Sequence, residues 1–317
     1  MTYFLLLLLM VFSTMLYIKM ATRFNIVDVP NERSSHSEVT IRGLGIVFIL
    51  SSIFYFIYSD FQYPFFMLGL ILAGTISFID DIYTISSKTR ILVQIVSVCL
   101  LLFELGVFDE HFLWVGFLLI LGVGIINGFN FMDGINGLTG SYGLITVLTL
   151  VYINTYLIEF VDNDFLVFVG ASLLIFLSYN FRKRAKGFSG DVGSIGIGLL
   201  IIFFVFRLVI VSNNYKYIFL IFIYGLDTIS TILIRLYDKE NIFLAHRRHF
   251  YQLLTNEVGL GHLKVALLYA VVQALLNCWI IYYPILDVFF LIPYLTVFVL
   301  ILYCRLRLEK TFQVSVK

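Results

Sequence analysis

Long apolar runs separated by short polar stretches make up most of the chain. A helix that crosses a bilayer needs about 20 apolar residues, fewer when its ends lie in polar headgroups. The pattern predicts spans near 3–21, 44–59, 63–79, 90–106, 111–127, 138–158, 164–180, 193–212, 216–235, 263–283 and 286–304. The expected fold is all-α: a polytopic integral membrane protein of about eleven transmembrane helices, in a single domain over residues 1–317. The second and third runs are short, and the break between them at 60–62 is the least marked.

Composition agrees. Of the 317 residues, 61% are hydrophobic and 13% charged, whereas a soluble domain is nearer half apolar and a quarter charged. The 33 Phe and 20 Tyr suit lipid-facing surfaces and interfacial belts. Cys99, Cys278 and Cys304 stand in apolar segments, without the spacing of a metal site or a disulfide framework. Lys19 and Arg23 follow the first apolar run instead of preceding it. That order predicts a first transmembrane helix with its N-terminus outside, and no cleaved leader.

The distribution of charge tests this orientation. With the N-terminus outside and the C-terminus cytoplasmic, every Lys and Arg except Arg207 and Lys216 falls on the inner side, as basic residues do in membrane proteins. Asp60, Asp109, Glu110, Glu159, Asp162, Asp164 and Asp287 mark the outer loops. Topology thus accounts for the basic residues without a nucleic-acid partner. The spans carry little charge, Arg207 being the main exception. A transporter usually keeps a polar site at the midplane; here the chemistry is expected at the inner face.

Five inner clusters carry that chemistry. The first is Asp28-Val-Pro-Asn-Glu-Arg-Ser-Ser-His36 with Thr40-Ile-Arg-Gly-Leu-Gly45. It offers Arg33, His36 and Arg42 as donors, and Gly43 and Gly45 at a helix start, where free N–H groups attract anions. Adjacent carboxylates at a membrane boundary, as in Asp80-Asp81, are costly unless a cation or basic partner neutralises them. Mg²⁺ held by carboxylates and phosphate oxygens does so, and Arg90, which opens the next span, is placed to face the pair. In the third cluster Asn127, Asn130 and Asp133 are spaced three apart, so they share one face if the preceding helix runs through them. A glycine-rich stretch, Gly187-Phe-Ser-Gly-Asp-Val-Gly-Ser-Ile-Gly-Ile-Gly198, runs into a helix with Asp191 at its lip, downstream of Arg182, Lys183, Arg184 and Lys186. Its backbone could approach phosphates, although small residues at this spacing also serve helix packing. Last comes His246-Arg-Arg-His-Phe-Tyr-Gln252. Without a cysteine or third histidine nearby it suits a pyrophosphate better than zinc.

Taken in order, these residues resemble the polyprenyl-phosphate N-acetylhexosamine-1-phosphate transferases, bacterial enzymes that start cell-surface polysaccharides. Asp80-Asp81 with Arg90 is similar to that family's aspartate pair and downstream arginine. Asn127-x-x-Asn130-Phe-Met-Asp133-Gly-Ile-x-Gly137 is similar to its most specific motif, and Gly190-Asp191-Val-Gly-Ser194 to its metal-binding loop. The first inner loop matches through Pro30-Asn31-x-Arg33-Ser34-Ser35-His36. There are departures. Asn136 stands where aspartate is usual, and Val39-Thr-Ile-Arg-Gly-Leu-Gly45 keeps the arginine but lacks the usual prolines and middle glycine. Tyr251 and Gln252 replace further histidines, a pattern similar to the branch that starts O-antigen or capsule chains with 6-deoxy-N-acetylhexosamines.

The resemblance implies transfer of a sugar 1-phosphate from a UDP-N-acetylhexosamine to undecaprenyl phosphate, with release of UMP, in the bacterial cytoplasmic membrane. It implies Mg²⁺, with Mn²⁺ as a substitute, held chiefly by Asp191 and drawing on Asp80, Asp81 and Asp133. These four aspartates are the implied catalytic residues. The implied substrate-binding set is Arg33, His36, Arg42, Arg90, Asn127, Asn130, Gly190, Ser194, His246, Arg247 and His249. Asp80 and Asp81 would place the lipid phosphate, with a covalent aspartyl-phosphate as the alternative route. A homo-oligomer is compatible with all of this. Two other classes use some of the same features: a membrane aromatic prenyltransferase with an Asn-x-x-Asp motif, and a non-enzymatic transporter of lipid-linked sugar.

Overall fold

The computed structural model describes residues 2–29, 39–242, 244, 246–283 and 285–312. It is an all-α polytopic bundle, with one two-stranded ribbon among the described residues. The helices are α1 Thr2–Arg23, α2 Ile46–Tyr58, α3 Pro64–Ile82, α4 Ser87–Glu104, α5 Phe112–Met132, α6 Leu138–Tyr156, α7 Asn163–Asn180, α8 Gly190–Ser212, α9 Phe222–Tyr237, the single turn α10 Phe250–Gln252, α11 His262–Tyr282 and α12 Val288–Thr311. Each apolar run named above forms a helix. Nine segments among the described residues are long and apolar enough to cross a membrane. Two runs fall short of that description. α2 has only 13 residues, and α4 carries Lys88, Arg90 and Glu104 at its ends. The ninth run starts as a 3₁₀ segment, Tyr215–Ile221, before α9.

Local chemistry sets several boundaries. Ser86 caps α4 by accepting from the Thr89 N–H, Asp162 caps α7 by accepting from Asp164 N–H, and Asp287 caps α12 by accepting from Phe290 N–H. These oxygens satisfy N–H groups that a helix start leaves free. Pro64 sits in the first turn of α3, where its missing N–H costs nothing.

The bundle is organised around α8, which is buried along nearly its whole length, from Val192 to Val209. The glycines that the sequence offered as a phosphate loop serve packing here as well. A Cβ on Gly45 would lie 2.3 Å from the Gly193 Cα, so α2 and α8 touch backbone to backbone. Gly198 lets α8 approach α5, where a Cβ would lie 3.2 Å from the Phe129 Cβ and 3.4 Å from the Ile126 Cα. Helices in lipid gain much of their association from such close contact. α1 and α12 lie at the periphery, with most of their apolar side chains exposed.

The helix ends that carry the inner clusters gather at one end of the bundle. There Val27–Asp28 (β1) pairs antiparallel with Thr40–Ile41 (β2). The strand passes on to the segment before α8: Phe188 N–H donates to Ile41 O at 2.8 Å, and Leu44 N–H to Phe188 O at 2.8 Å. Asn180 ties in two more loops, accepting from Gly137 N–H at 2.7 Å and donating to Gly187 O at 2.9 Å.

Candidate active site

Asp81 sits beneath the start of α8. Its carboxylate accepts from the backbone N–H groups of Asp191 (2.9 Å) and Val192 (3.1 Å) and from Arg42 Nε (2.7 Å). The oxygen lies where a Cβ on Gly190 would be, 2.4 Å away, and Gly190 has φ +69°, a region that favours glycine. Arg42 reaches this point because the ribbon and the Tyr17 hydroxyl, donating to Arg42 O at 2.6 Å, hold its backbone. Burial works against the Arg42 charge, yet the carboxylates of Asp81, Asp191 and Asp28 hold its guanidinium above the usual value.

Arg90 takes the next two carboxylates. Its Nη1 lies 2.9 Å from Asp80 Oδ2 and 3.1 Å from Asp191 Oδ2, while Asp80 Oδ1 accepts from Ile85 N–H at 2.6 Å. Arg42 Nη2 stands 3.8 Å from Asp191 Oδ1. This set of ion pairs thus joins three carboxylates to two guanidinium groups. One negative charge is left over at a place with little solvent, which favours binding a cation.

The donor set fits Mg²⁺. Asp80 and Asp191 present hard oxygens that converge on a single nitrogen, and Mg²⁺ commonly takes one or two carboxylates and completes its shell with water and substrate phosphates. A cage of three or more His, Cys, Asp or Glu ligands is absent among the described residues. Asp81 and Asp133 have other partners. Asp81 holds the α8 backbone, and Asp133 accepts from the Ser189 hydroxyl. Burial comes first in pushing the Asp133 carboxyl up to about 7; the Ser189 and Thr139 hydroxyls oppose this and the charges of Asp191 and Asp81 add to it.

Beside Asp191 opens a cavity of about 400 Å³. Arg90, Gln94, Asn127, Asn130 and Asp191 line it together with His246, His249 and Gln252, and Ile76, Ile91, Phe131 and Ile195 add an apolar part. α5 does run through Asn127 and Asn130, which share the cavity wall. Asp133 follows as its C-terminal residue and turns to Ser189. Asn127 Nδ2 donates to Gln94 Oε1 at 2.8 Å, which brings in a residue the sequence reading passed over. Burial, with the nearby His249 and Arg235, holds His246 down at about 3.

Of the other expected residues, Gly190 forms the turn into α8, and Ser194 Oγ donates back to Gly190 O at 3.2 Å. Arg247 lies half-buried between the two histidines. Arg33 and His36 fall outside the described residues. Asn136, where the resemblance leads one to expect aspartate, donates its amide to the carbonyls of Arg182 (2.9 Å) and Lys183 (3.3 Å). A carboxylate could not make those bonds.

Asp227 was also missed. It is buried in α9 and surrounded by donors from α10 and α11. The available signal was a lone acid inside an apolar run, which is costly and so usually has a purpose.

Residues 63–209 match the family model described as Glycosyl transferase family 4, a segment just under half of the chain. It contains Asp80, Asp81, Arg90, Asn127, Asn130, Asp133 and Asp191, and it ends before the histidine loop. No curated protein matches the chain significantly. The family match supports a membrane transferase that moves a phospho-sugar to a polyprenyl phosphate.

Proposed function

Taking that family match as the premise, we propose that the protein transfers an N-acetylhexosamine 1-phosphate from a UDP-sugar to undecaprenyl phosphate and releases UMP. The observation that carries this is the convergence of Asp80 and Asp191 on Arg90, where Arg90 and Asp191 line a cavity that His246 and His249 line as well. Phosphoryl transfer needs in-line positioning and charge neutralisation more than covalent help. This cavity is lined by anion donors and by the Asp191 carboxylate.

Asp191 and Asp80 would hold Mg²⁺, which when bound supplies the positive charge that screens the donor pyrophosphate. Arg90 draws phosphate oxygens to the same wall, and Arg42 stands behind Asp191 to balance its charge. Asp81 keeps Asp191 in place by holding its N–H. Asn127 and Asn130 offer amide groups to the nucleotide or sugar. His246, neutral near pH 7, and His249 line the same cavity and would also meet the donor there. Apolar side chains exposed around the bundle suit a long isoprenoid tail. The reaction belongs to the inner face of a bacterial cytoplasmic membrane, in keeping with the basic residues at that end of the chain.

The donor-sugar branch rests on Tyr251 and Gln252. Tyr251 is buried and donates to Phe131 O at 3.0 Å, so Gln252, which lines the cavity, is the one able to meet the sugar. The resemblance carried by this Tyr-Gln pair is what favours a 6-deoxy-N-acetylhexosamine.

The test is UMP release by the purified protein with undecaprenyl phosphate, Mg²⁺ and a panel of UDP-N-acetylhexosamines. Release with one sugar, absent in Asp191→Asn and after chelation, is expected. A folded sample that turns over none of the panel, or an Asp191→Asn variant as active as the wild type, would overturn the assignment.

A further inference from the structure

Asp227 lies in α9, far along the chain from the catalytic aspartates, and nothing above gives it a part in the reaction. Its carboxylate is enclosed by donors. Oδ1 accepts from Phe250 N–H at 2.9 Å; Oδ2 accepts from Tyr269 O–H at 2.6 Å and Tyr251 N–H at 3.2 Å. At 1% exposure, a carboxylate is expensive to bury unless hydrogen bonds and a partner of this kind satisfy it.

The remaining neighbour is His249. Its Nδ1 stands 3.3 Å from Asp227 Oδ1 and 3.3 Å from Thr231 Oγ1. The Thr231 proton is spoken for, because Oγ1 donates to Asp227 O at 2.6 Å. Arg305 Nη1 in turn donates to Thr231 Oγ1 at 2.8 Å, and Arg305 Nη2 to Arg248 O. Both atoms facing Nδ1 are therefore acceptors, and an acceptor pair requires the proton on Nδ1. His249 lines the cavity, and Nε2 is the nitrogen left to face it.

We propose that Asp227 is a positioning residue for the transfer reaction: it holds His249 in the Nδ1–H tautomer, with Thr231 and Arg305 completing the cradle, so that Nε2 is presented to the donor phosphates or sugar. The proposal rests on the reading that His249 meets the donor.

The cradle is built from two helices far apart in the chain, α9 and α12. Asp227 and Thr231 lie one turn apart on α9 and so share a face. Arg305 comes from α12 and is fully buried, though it stands near the end of a peripheral helix. It anchors the Arg248 carbonyl, one residue before the ring. Arg248 is itself held by Asp238 and Glu240. The ring is thus fixed from both sides, as preorganised catalysis requires.

Two measurements test this. In UMP-release kinetics, Asp227→Asn should lower kcat by on the order of 10- to 100-fold, the worth of one charge-assisted hydrogen bond. In a His249→Ala background the same change should alter kcat by no more than about two-fold, since a residue that acts through His249 has nothing left to act on. Multiplying losses would overturn the proposal and leave Asp227 a purely structural residue. The second measurement needs no turnover. Nitrogen NMR of histidine-labelled protein, with the His249 signal assigned by its loss in His249→Gln, should show Nδ1 protonated in the wild type and a changed tautomer balance in Asp227→Asn. A bare Nδ1 in the wild type would refute the proposal even if the sugar donor proves to be wrong. An inactive wild type with the expected tautomer would count against the transferase reading alone.

Discussion

Asp81 and Asp191 are both aspartates of the site, yet the structure gives them opposite duties, and substitution should separate them. Asp81→Ala removes one carboxylate from three donors at once: the Asp191 and Val192 N–H groups at the start of α8 and the Arg42 guanidinium. The Asp81 side chain is fully buried, so water cannot readily replace it. A lost hydrogen bond to a charged group costs about 1.5–3 kcal/mol, and breaking a buried ion pair costs about 3–5 kcal/mol. The three losses share one group, and Arg42 keeps Asp191 at 3.8 Å. The expected total is therefore about 3–5 kcal/mol, not their sum. Asp191→Asn is different. Its carboxylate is 19% exposed and supports no backbone group, while Arg90 and Arg42 keep Asp80 and Asp81. Removing one of three like charges also relieves repulsion, so the cost should stay below about 1 kcal/mol. Thermal unfolding in detergent, run beside Mg²⁺-dependent UMP release on the same samples, reads both. Asp81→Ala should melt lower by on the order of 10 °C, whereas Asp191→Asn should melt near the wild type and lose activity. If Asp81→Ala melts with the wild type, or Asp191→Asn loses the larger share of stability, this division of labour is wrong.

Other outcomes follow from the same geometry. Asn136→Asp should destabilise by about 1–3 kcal/mol, because two carbonyls lose their donor and face a charge instead; a melt equal to that of the wild type would show that the amide bonds to Arg182 and Lys183 contribute nothing. His246 is held down at about 3 against an ordinary 6.5. As pH falls below about 6.5 the unfolded chain takes up a proton that the folded chain refuses, so stability drops on acidification. Melting curves between about pH 4.5 and 7.5 should fall less steeply for His246→Gln, and equal slopes would contradict the assignment. Chelation should abolish UMP release, with Mg²⁺ restoring it; Asp80→Asn should require more Mg²⁺ for half-maximal rate, and an unchanged requirement would remove Asp80 from the metal site. Arg305→Met should lower the melting temperature and slow turnover together, since it frees the Arg248 carbonyl and leaves Glu309 with one partner fewer.

Hydropathy determined the α-helical membrane architecture by itself. Lipid leaves backbone groups no partner but one another, so each apolar run had to become a helix, and each did. Spacing placed Asn127 and Asn130 on one helical face, and the order of the polar motifs pointed to phosphate chemistry before any coordinate. Tertiary structure decided what the individual carboxylates do. Asp80 and Asp81 are neighbours in sequence, but successive helical residues point about a hundred degrees apart; one therefore reaches Arg90 beside the cavity while the other turns under α8. The glycines after Asp191 could have cradled a phosphate or packed a helix. Only the backbone contact with Gly45 shows that Gly193 packs α2 against α8. Asp227 and Arg305 were invisible as a pair because 78 positions separate them: Asp227 sits inside an apolar run, and Arg305 follows one among other basic residues. A sequence records which side chains are available along a helix. Which donor meets which acceptor depends on how helices distant in the chain rotate and pack against each other, and in this protein that packing selects the partners of each buried charge.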